Sequence, residues 1–264
     1  MAEVSSKHVI RSKQGAEESM SALAELMRGG HVVAFTGAGI SASAGIATYR
    51  DLKSVGSSGA MATRAASFEA VKNAVPTLTH RVLKRLTDKG LLTCVVTTNI
   101  DDLHAKSGLI PNEKQLIELH GNLFSERCDW CHTVYRRNFI VSQYTPLELT
   151  RGNVPLVSPA SERCCQSCGK ELRCTVVGTN QLLYEPTYWA AMEALSEAEL
   201  ALCIGTSHEV APASAVPFYA KKVVMCNTEQ TRGEKNVKVK VVVRAEADQT
   251  MKELWDRLYP HEVI

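Results

Sequence analysis

The chain has 264 residues, 45% of them hydrophobic and 22% charged, a globular composition that excludes a disordered polymer. No apolar stretch approaches the roughly 18–20 residues of a membrane span. Thirty Lys+Arg against 28 Asp+Glu give a net charge of +2, too balanced to mark a nucleic-acid binder. The opening MAEVSSKHVIRSKQG has no apolar core of a signal peptide and little arginine for an import sequence. An intracellular protein of nucleus or cytoplasm, with no membrane partner, is the expectation.

In chain order, Ala16, Met20, Leu23 and Met27 recur at helical spacing, and Gly29-Gly30 stops that helix. His31–Thr36 reads as a buried strand that turns at Gly37-Ala38-Gly39. Residues 51–75 are rich in Ser, Gly and Ala, a long loop with one helix. Pro76 opens a helix with Leu78, Val82, Leu83 and Leu86 on one face, ended by Gly90. Further strands are predicted at Leu91–Thr97, Leu116–Leu119, Leu200–Ile204, Val223–Cys226 and Val237–Val243, and a last helix turns Met251, Leu254, Trp255 and Leu258 inward. Strands alternating with helices predict an α/β fold, a Rossmann-like, doubly wound parallel sheet. Residues 126–175 break the rhythm with clustered cysteines and a polar, proline-bearing loop. They read as an inserted small zinc-ribbon module, leaving a discontinuous main domain of 14–125 and 176–264.

Nine cysteines in an intracellular chain point to metal ligands or buried thiols before disulfides. Cys94, Cys203 and Cys226 sit singly in apolar runs, as small hydrophobes of strands. Cys128-Asp-Trp-Cys131 and Cys165-Gln-Ser-Cys168 are two C-x-x-C pairs separated by residues 132–164. Two thiolate turns make a tetrahedral four-sulfur zinc site, closed and therefore structural. Cys164 is a competing ligand.

The glycine turn Gly37-Ala38-Gly39-Ile40-Ser41-Ala42 after a strand fits the loose dinucleotide pattern, in which backbone N–H groups approach a pyrophosphate. A merely tight turn has the same residues. The carboxylate a dehydrogenase expects about 20 residues further on is missing from GSSGAMATR, which argues against hydride-transfer chemistry. Asn99 and Asp101 end one strand and His120 another, on the side where open α/β sheets bind ligands. Together they make an acid–base and amide-recognition set. Taken singly, Asn99 or Asp101 caps a helix at Asp102 and His120 is a turn histidine.

In this order, GAGISASAGI (37–46), Arg50, TTNIDDLH (97–104), ELHGN (118–122), the two C-x-x-C pairs, IGTS (204–207) and CNTE (226–229) resemble the sirtuins, the NAD-dependent protein lysine deacylases. AVPTLTHRVL (74–83), SGLIPNEKQLIELHGNLF (107–124), CGKELR (168–173) and the long cysteine spacing are most similar to the class IV branch. The resemblance implies a cofactor set of Gly37, Ala38, Gly39, Ser41, Ala42, Thr48, Tyr49, Arg50, Thr98, Asn99, Asp101, His120, Gly205, Thr206, Ser207, Asn227, Glu229 and Ala247. Within it, Ala38, Gly39 and Ser41 line the pyrophosphate, Tyr49 covers the nicotinamide ribose, and Arg50 reaches a phosphate. Asn99 orders the ribose, Asp101 holds the nicotinamide carboxamide, and His120 is the general base. An acylated protein or peptide, with chromatin or other proteins as targets, lies as a strand between the two domains. The products are nicotinamide, O-acyl-ADP-ribose and free lysine.

Three positions depart from the family. Its Pro-Asp-Phe-Arg is Ala47-Thr48-Tyr49-Arg50, the Gln before the Asn is Thr98, and the substrate-pairing strand reads VVGTNQ (176–181). These departures keep two alternatives in view, a mono-ADP-ribosyltransferase or NAD hydrolase, and a non-catalytic NAD or ADP-ribose sensor. Arg136-Arg137, Lys221-Lys222 and Lys235–Arg244 are solvated faces on this reading, so nucleic acid is not the primary partner.

Overall fold

The structure, a computed structural model, describes residues 8–9, 13–54, 68–112 and 114–264. Strands β1 (His8–Val9), β2 (Val32–Thr36), β3 (Leu92–Thr97), β4 (Leu116–Glu118), β9 (Leu200–Ile204), β10 (Lys222–Cys226) and β11 (Val239–Val243) form one sheet. It is parallel throughout, in the order β1-β11-β10-β9-β2-β3-β4. From β2 the chain proceeds outward to β3 and β4, then returns to place β9 on the other side of β2. The ends of β2 and β9 are therefore the point where strand order reverses, the ordinary ligand crevice of such sheets.

Alternation along each strand feeds two cores. Val32 and Ala34 face α1 (Lys13–Arg28), α3 (Leu78–Asp88) and α7 (Ala247–Leu258), which contribute Met20, Leu23, Leu83, Leu86, Leu254 and Trp255. Val33 and Phe35 face α6 (Glu185–Glu197) and the 3-10 helix Ala213–Tyr219. Each such large side chain contributes about 1.5–3 kcal/mol when fully buried. No helix among the described residues is long and apolar enough to cross a membrane.

Several boundaries differ from the sequence reading for local reasons. His31 has φ 48°, which ends strand geometry, so β2 begins at Val32. Pro76 lies before α3, whose N-cap is Thr77 in a capping box closed by His80. Val237 is exposed and β11 starts at Val239. A 3-10 helix, Ala38–Ala44, follows the glycine turn and stops at Gly45 with φ 79°. Helix α2 (Tyr49–Ser54) and helical residues 68–73 flank the stretch 55–67, which holds all of GSSGAMATR and lies outside the described residues. Helix α6 had no counterpart in the periodicity.

A second, antiparallel sheet has the order β6-β5-β8-β7, from β5 (Ser125–Cys128), β6 (Val134–Arg136), β7 (Ala160–Cys164) and β8 (Glu171–Cys174). The stretch read as a polar loop contains helix α5 (Pro146–Arg151), capped by Thr145 and Glu148 and ended at Gly152. Its Leu149 packs with Val71, Leu123, Phe124, Val154 and Val176, so the insertion reaches back to the end of the main sheet. A short helix, α4 (Leu103–Lys106), follows β3.

Candidate active site

The ends of β2 and β9 are pinned together. Gly39 N donates to the Gly205 carbonyl at 2.8 Å, and Gly37 N donates to Ile204 O at 3.1 Å. A Cβ on Gly39 would lie 2.8 Å from Gly205, and one on Gly37 would lie 2.8 Å from the Thr206 Cβ. Both positions must be glycine for the two turns to touch.

Beside this pair opens a cavity of about 420 Å³. Gly37, Ala38, Gly39, Ala42, Thr48, Tyr49, Arg50, Thr98, Asn99, Asp101, His120, Gly205, Thr206, Ser207, Asn227, Glu229 and Ala247 all line it. Ser41 alone of the predicted set does not. Its hydroxyl is buried, donating to Asp101 Oδ2 at 2.6 Å and accepting from Asn99 Nδ2 at 3.2 Å. Ser41 thus orders two other site residues instead of lining the wall. Asp101 also accepts from Leu103 N at 3.0 Å, so the helix-capping role and a place in the cleft coexist.

Asn99 is held at its backbone N by Thr97 Oγ1 at 3.0 Å and at Nδ2 by Ser41, leaving a buried Oδ1 with no partner. A buried amide oxygen without a donor is costly, and a sugar hydroxyl is the complementary group. Orphaned Oδ1, the glycine pair and Asp101 fit a dinucleotide with a carboxamide and ribose hydroxyls. Burial pushes His120 down to about 4, against an opposing effect of the Thr98 backbone. Its imidazole is therefore neutral near pH 7, with a lone pair available.

The carboxylate missing from the Ala47–Arg50 segment is supplied one turn later. Asp51 lines the cavity and accepts from Thr48 N at 2.8 Å and Thr48 Oγ1 at 2.7 Å. The Thr48-x-x-Asp51 spacing was the available signal. Arg50 pairs with Glu229 across the cavity mouth. Phe35, His208 and the insertion's Pro146, Leu149 and Thr150 also line it, none of them singled out by the sequence. The 176–181 segment forms no strand. Val177 N donates to His120 O, and Thr179 N donates to Leu149 O, both at 3.0 Å.

In the second sheet the Sγ atoms of Cys128, Cys131, Cys165 and Cys168 lie within 4.8 Å of one another. Three of the contacts measure 3.5, 3.4 and 3.6 Å. Zinc–sulfur bonds of about 2.3 Å in a tetrahedron place sulfurs about 3.8 Å apart, so the four thiols fit zinc. Tyr135 Oη lies 3.2 Å from Cys165 Sγ and lowers that thiol to about 6. Cys164 is exposed and outside the cluster.

The Sir2 family model matches residues 53–212. NAD-dependent protein deacetylase SRT1 of Oryza sativa subsp. indica is 36% identical over 228 residues, covering 84% of this chain and 44% of the relative. The chain thus spans less than half of that protein's length. An NAD-dependent protein deacylase of Thermococcus kodakarensis is 32% identical over 255 residues, covering 88% of this chain and 93% of its own. Among solved structures, a Sir2 homologue in complex with NAD superposes with TM-score 0.66 at 26% identity, covering 91% of this chain and 94% of that one. A Sir2 bound to acetylated peptide gives TM-score 0.66 at 25% identity, covering 90% and 98%.

Proposed function

This chain belongs to the Sir2 family, and from that premise we propose that it is an NAD-dependent protein lysine deacylase. The observation that carries the reading is the convergence of Asn99, Asp101 and His120 on one cavity beside the glycine turns of β2 and β9. The NAD-dependent deacetylase and deacylase relatives support it. NAD, when bound, supplies an electrophilic ribose carbon and nicotinamide as leaving group. The unpaired Asn99 Oδ1 accepts from a ribose hydroxyl and fixes the sugar. Asp101, steadied by Ser41, holds the carboxamide. His120, neutral near pH 7, takes a proton from a ribose hydroxyl. The other lining residues of the predicted set bind the cofactor, with Arg50 at a phosphate and Glu229 at the adenosine end.

The acyl-lysine of a chromatin or other protein is the substrate class, entering between the main sheet and the insertion, where Val177 and Leu149 meet the cavity. We assign 14–125 with 176–264 to the cofactor domain and 126–175 to a zinc module ligated by Cys128, Cys131, Cys165 and Cys168. All nine cysteines are unbridged, which suits a reducing compartment, nucleus or cytoplasm.

One observation favours a second reading, mono-ADP-ribosylation. Segment 176–181 is no strand, and Thr179 N is already committed to Leu149 O. The test is incubation with NAD and a panel of acyl-lysine peptides, with products read by mass. Peptide-dependent O-acyl-ADP-ribose is expected, and His120→Ala should lower its formation about 10²–10⁴-fold per folded molecule. ADP-ribosylated protein without O-acyl-ADP-ribose would establish the second reading instead.

A further inference from the structure

Beneath the cavity floor runs a buried polar chain that the proposed chemistry does not use. Thr36 Oγ1 donates to Thr97 Oγ1 at 2.8 Å, and Thr97 Oγ1 in turn accepts from Asn99 N at 3.0 Å. His104 Nε2 lies 2.8 Å from Thr36 Oγ1. The Thr36 proton is already committed to Thr97, so His104 must be the donor. That fixes its proton on Nε2 and leaves Nδ1 as an acceptor, and this atom is buried with no partner.

His80 is determined in the same way. Thr77 N donates to His80 Nδ1 at 3.3 Å, so the proton sits on Nε2, also buried and without a partner. Two buried histidines therefore carry one orphaned donor and one orphaned acceptor. Their rings are in edge contact, with centroids 4.7 Å apart and planes at 61°. Two such orphans would each cost about 1–3 kcal/mol if left unmet, and they are complementary.

We propose that His104 is a positioning residue for Asn99. With His80 Nε2–H joined to His104 Nδ1, an unbroken chain runs Thr77–His80–His104–Thr36–Thr97–Asn99. The His80, His104 and Thr36 donors in it all point toward Thr97, links of one polarity reinforce each other, and Thr97 Oγ1 accepts from Thr36 on one side and from Asn99 N on the other. Its consequence is local. With the His104 donor in place, the Thr36 hydroxyl is held on Thr97, Thr97 Oγ1 is anchored from below while it accepts from Asn99 N, and Asn99 presents Oδ1 to the cleft. Burial holds both imidazoles below their ordinary range, His104 well below, so the tautomers persist through neutral pH.

The inference rests on the deacylase reading only for its kinetic consequence, and its test separates the two. Long-range ¹H–¹⁵N spectra of the full chain should show both histidines as Nε2–H tautomers that do not titrate between about pH 5.5 and 7.5, a range set by about one unit below and above the ordinary histidine pKa. His104→Gln returns an N–H donor to Thr36, whereas His104→Leu does not. The Asn99 amide resonance should move in His104→Leu and return in His104→Gln. Turnover in His104→Leu should fall about tenfold to a hundredfold in kcat, with KM for NAD little changed, as for a misplaced site group. An Nδ1–H tautomer on His104, or an Asn99 amide indifferent to His104→Leu, would overturn the proposal. So would equal kcat per folded molecule in both variants. If the unsubstituted chain makes no O-acyl-ADP-ribose, the deacylase reading fails, and the tautomers and the Asn99 amide still judge the chain.

Discussion

The parallel sheet buries Phe35, Met20, Leu23, Leu83 and Trp255 behind helices on both faces. The four-stranded sheet gathers only Cys128, Cys165 and Leu172 at its centre, with Cys131, Tyr135 and Cys168 against them. The first region has enough apolar area to hold itself, and the second replaces a core with four thiols. Stability of the cofactor cleft should therefore follow side-chain packing, and stability of the insertion should follow metal.

The largest effect that sharpens this contrast is metal removal. Structural zinc in small modules is worth about 10–16 kcal/mol of apparent folding free energy near pH 7. Chelation should open the 126–175 segment to protease while β2, β3 and β9 stay protected, and elemental analysis should find one zinc per chain. Protection of both sheets in chelator would break the comparison. Single thiols refine it. Cys165→Ser should behave like the chelated protein, because Cys165 is buried in the cluster. Cys164→Ser, at an exposed thiol outside the cluster, should stay within about 0.5 kcal/mol of the parent.

Acid should separate the regions next. Burial lowers His80, His104, His120 and His208, His120 to about 4. Between about pH 4 and the ordinary 6.5, the unfolded chain binds protons at these sites and the folded chain does not, so stability rises with pH. Glu118 works against this, since burial raises its carboxyl to about 7 and the folded state holds the extra proton. Four histidines outweigh one carboxyl. Urea midpoints of the parallel sheet, followed by hydrogen exchange, should climb from pH 4.5 to 6.5 and flatten above. A flat profile over that window would show that the buried histidines contribute no such coupling.

What was legible in the sequence follows the same division. Runs such as Val32–Thr36 and Leu200–Ile204 are buried throughout and announce parallel strands without any partner being known. Glycines 37, 39 and 205 mark their turns. The second sheet is built from SERC, VYR, ASERC and ELRC, whose apolar content is too small for a period, so only the cysteine spacing spoke for it. Helix α6 escaped because among its residues only Ala191 and Leu195 are buried. The tie that Ser41 makes to Asn99 and Asp101 was not legible, because those contacts cross about 60 residues of chain and no local pattern encodes them. The insertion's part in the cavity through Leu149 was hidden for the same reason.

The smallest effect concerns how the two regions communicate. Arg136, on β6 of the insertion, pairs with Asp102 and, at 3.1 Å, with Glu118. Asp102 follows Asp101 directly, and Glu118 ends β4 two residues before His120. Asn122 Nδ2 bridges the same two carboxylates at 2.9 and 2.6 Å. One guanidinium therefore neutralises a pair of acids on the two loops that carry the site. Arg136→Met keeps the length of the stem and removes the cation, leaving two half-buried carboxylates to share Asn122. A loss of about 1–3 kcal/mol is expected, the cost of stranding a buried acceptor, with zinc content unchanged. The acids would repel more strongly, so the pH at which Glu118 gives up its proton should rise further. Activity should fall most above neutral pH, where both carboxylates are charged. Adding Glu118→Gln removes one of the two charges and should recover most of the lost stability and flatten the pH profile. If the double variant is no better than Arg136→Met alone, the insertion and the main sheet are joined by packing around Leu149 and Leu123 instead of by this cation.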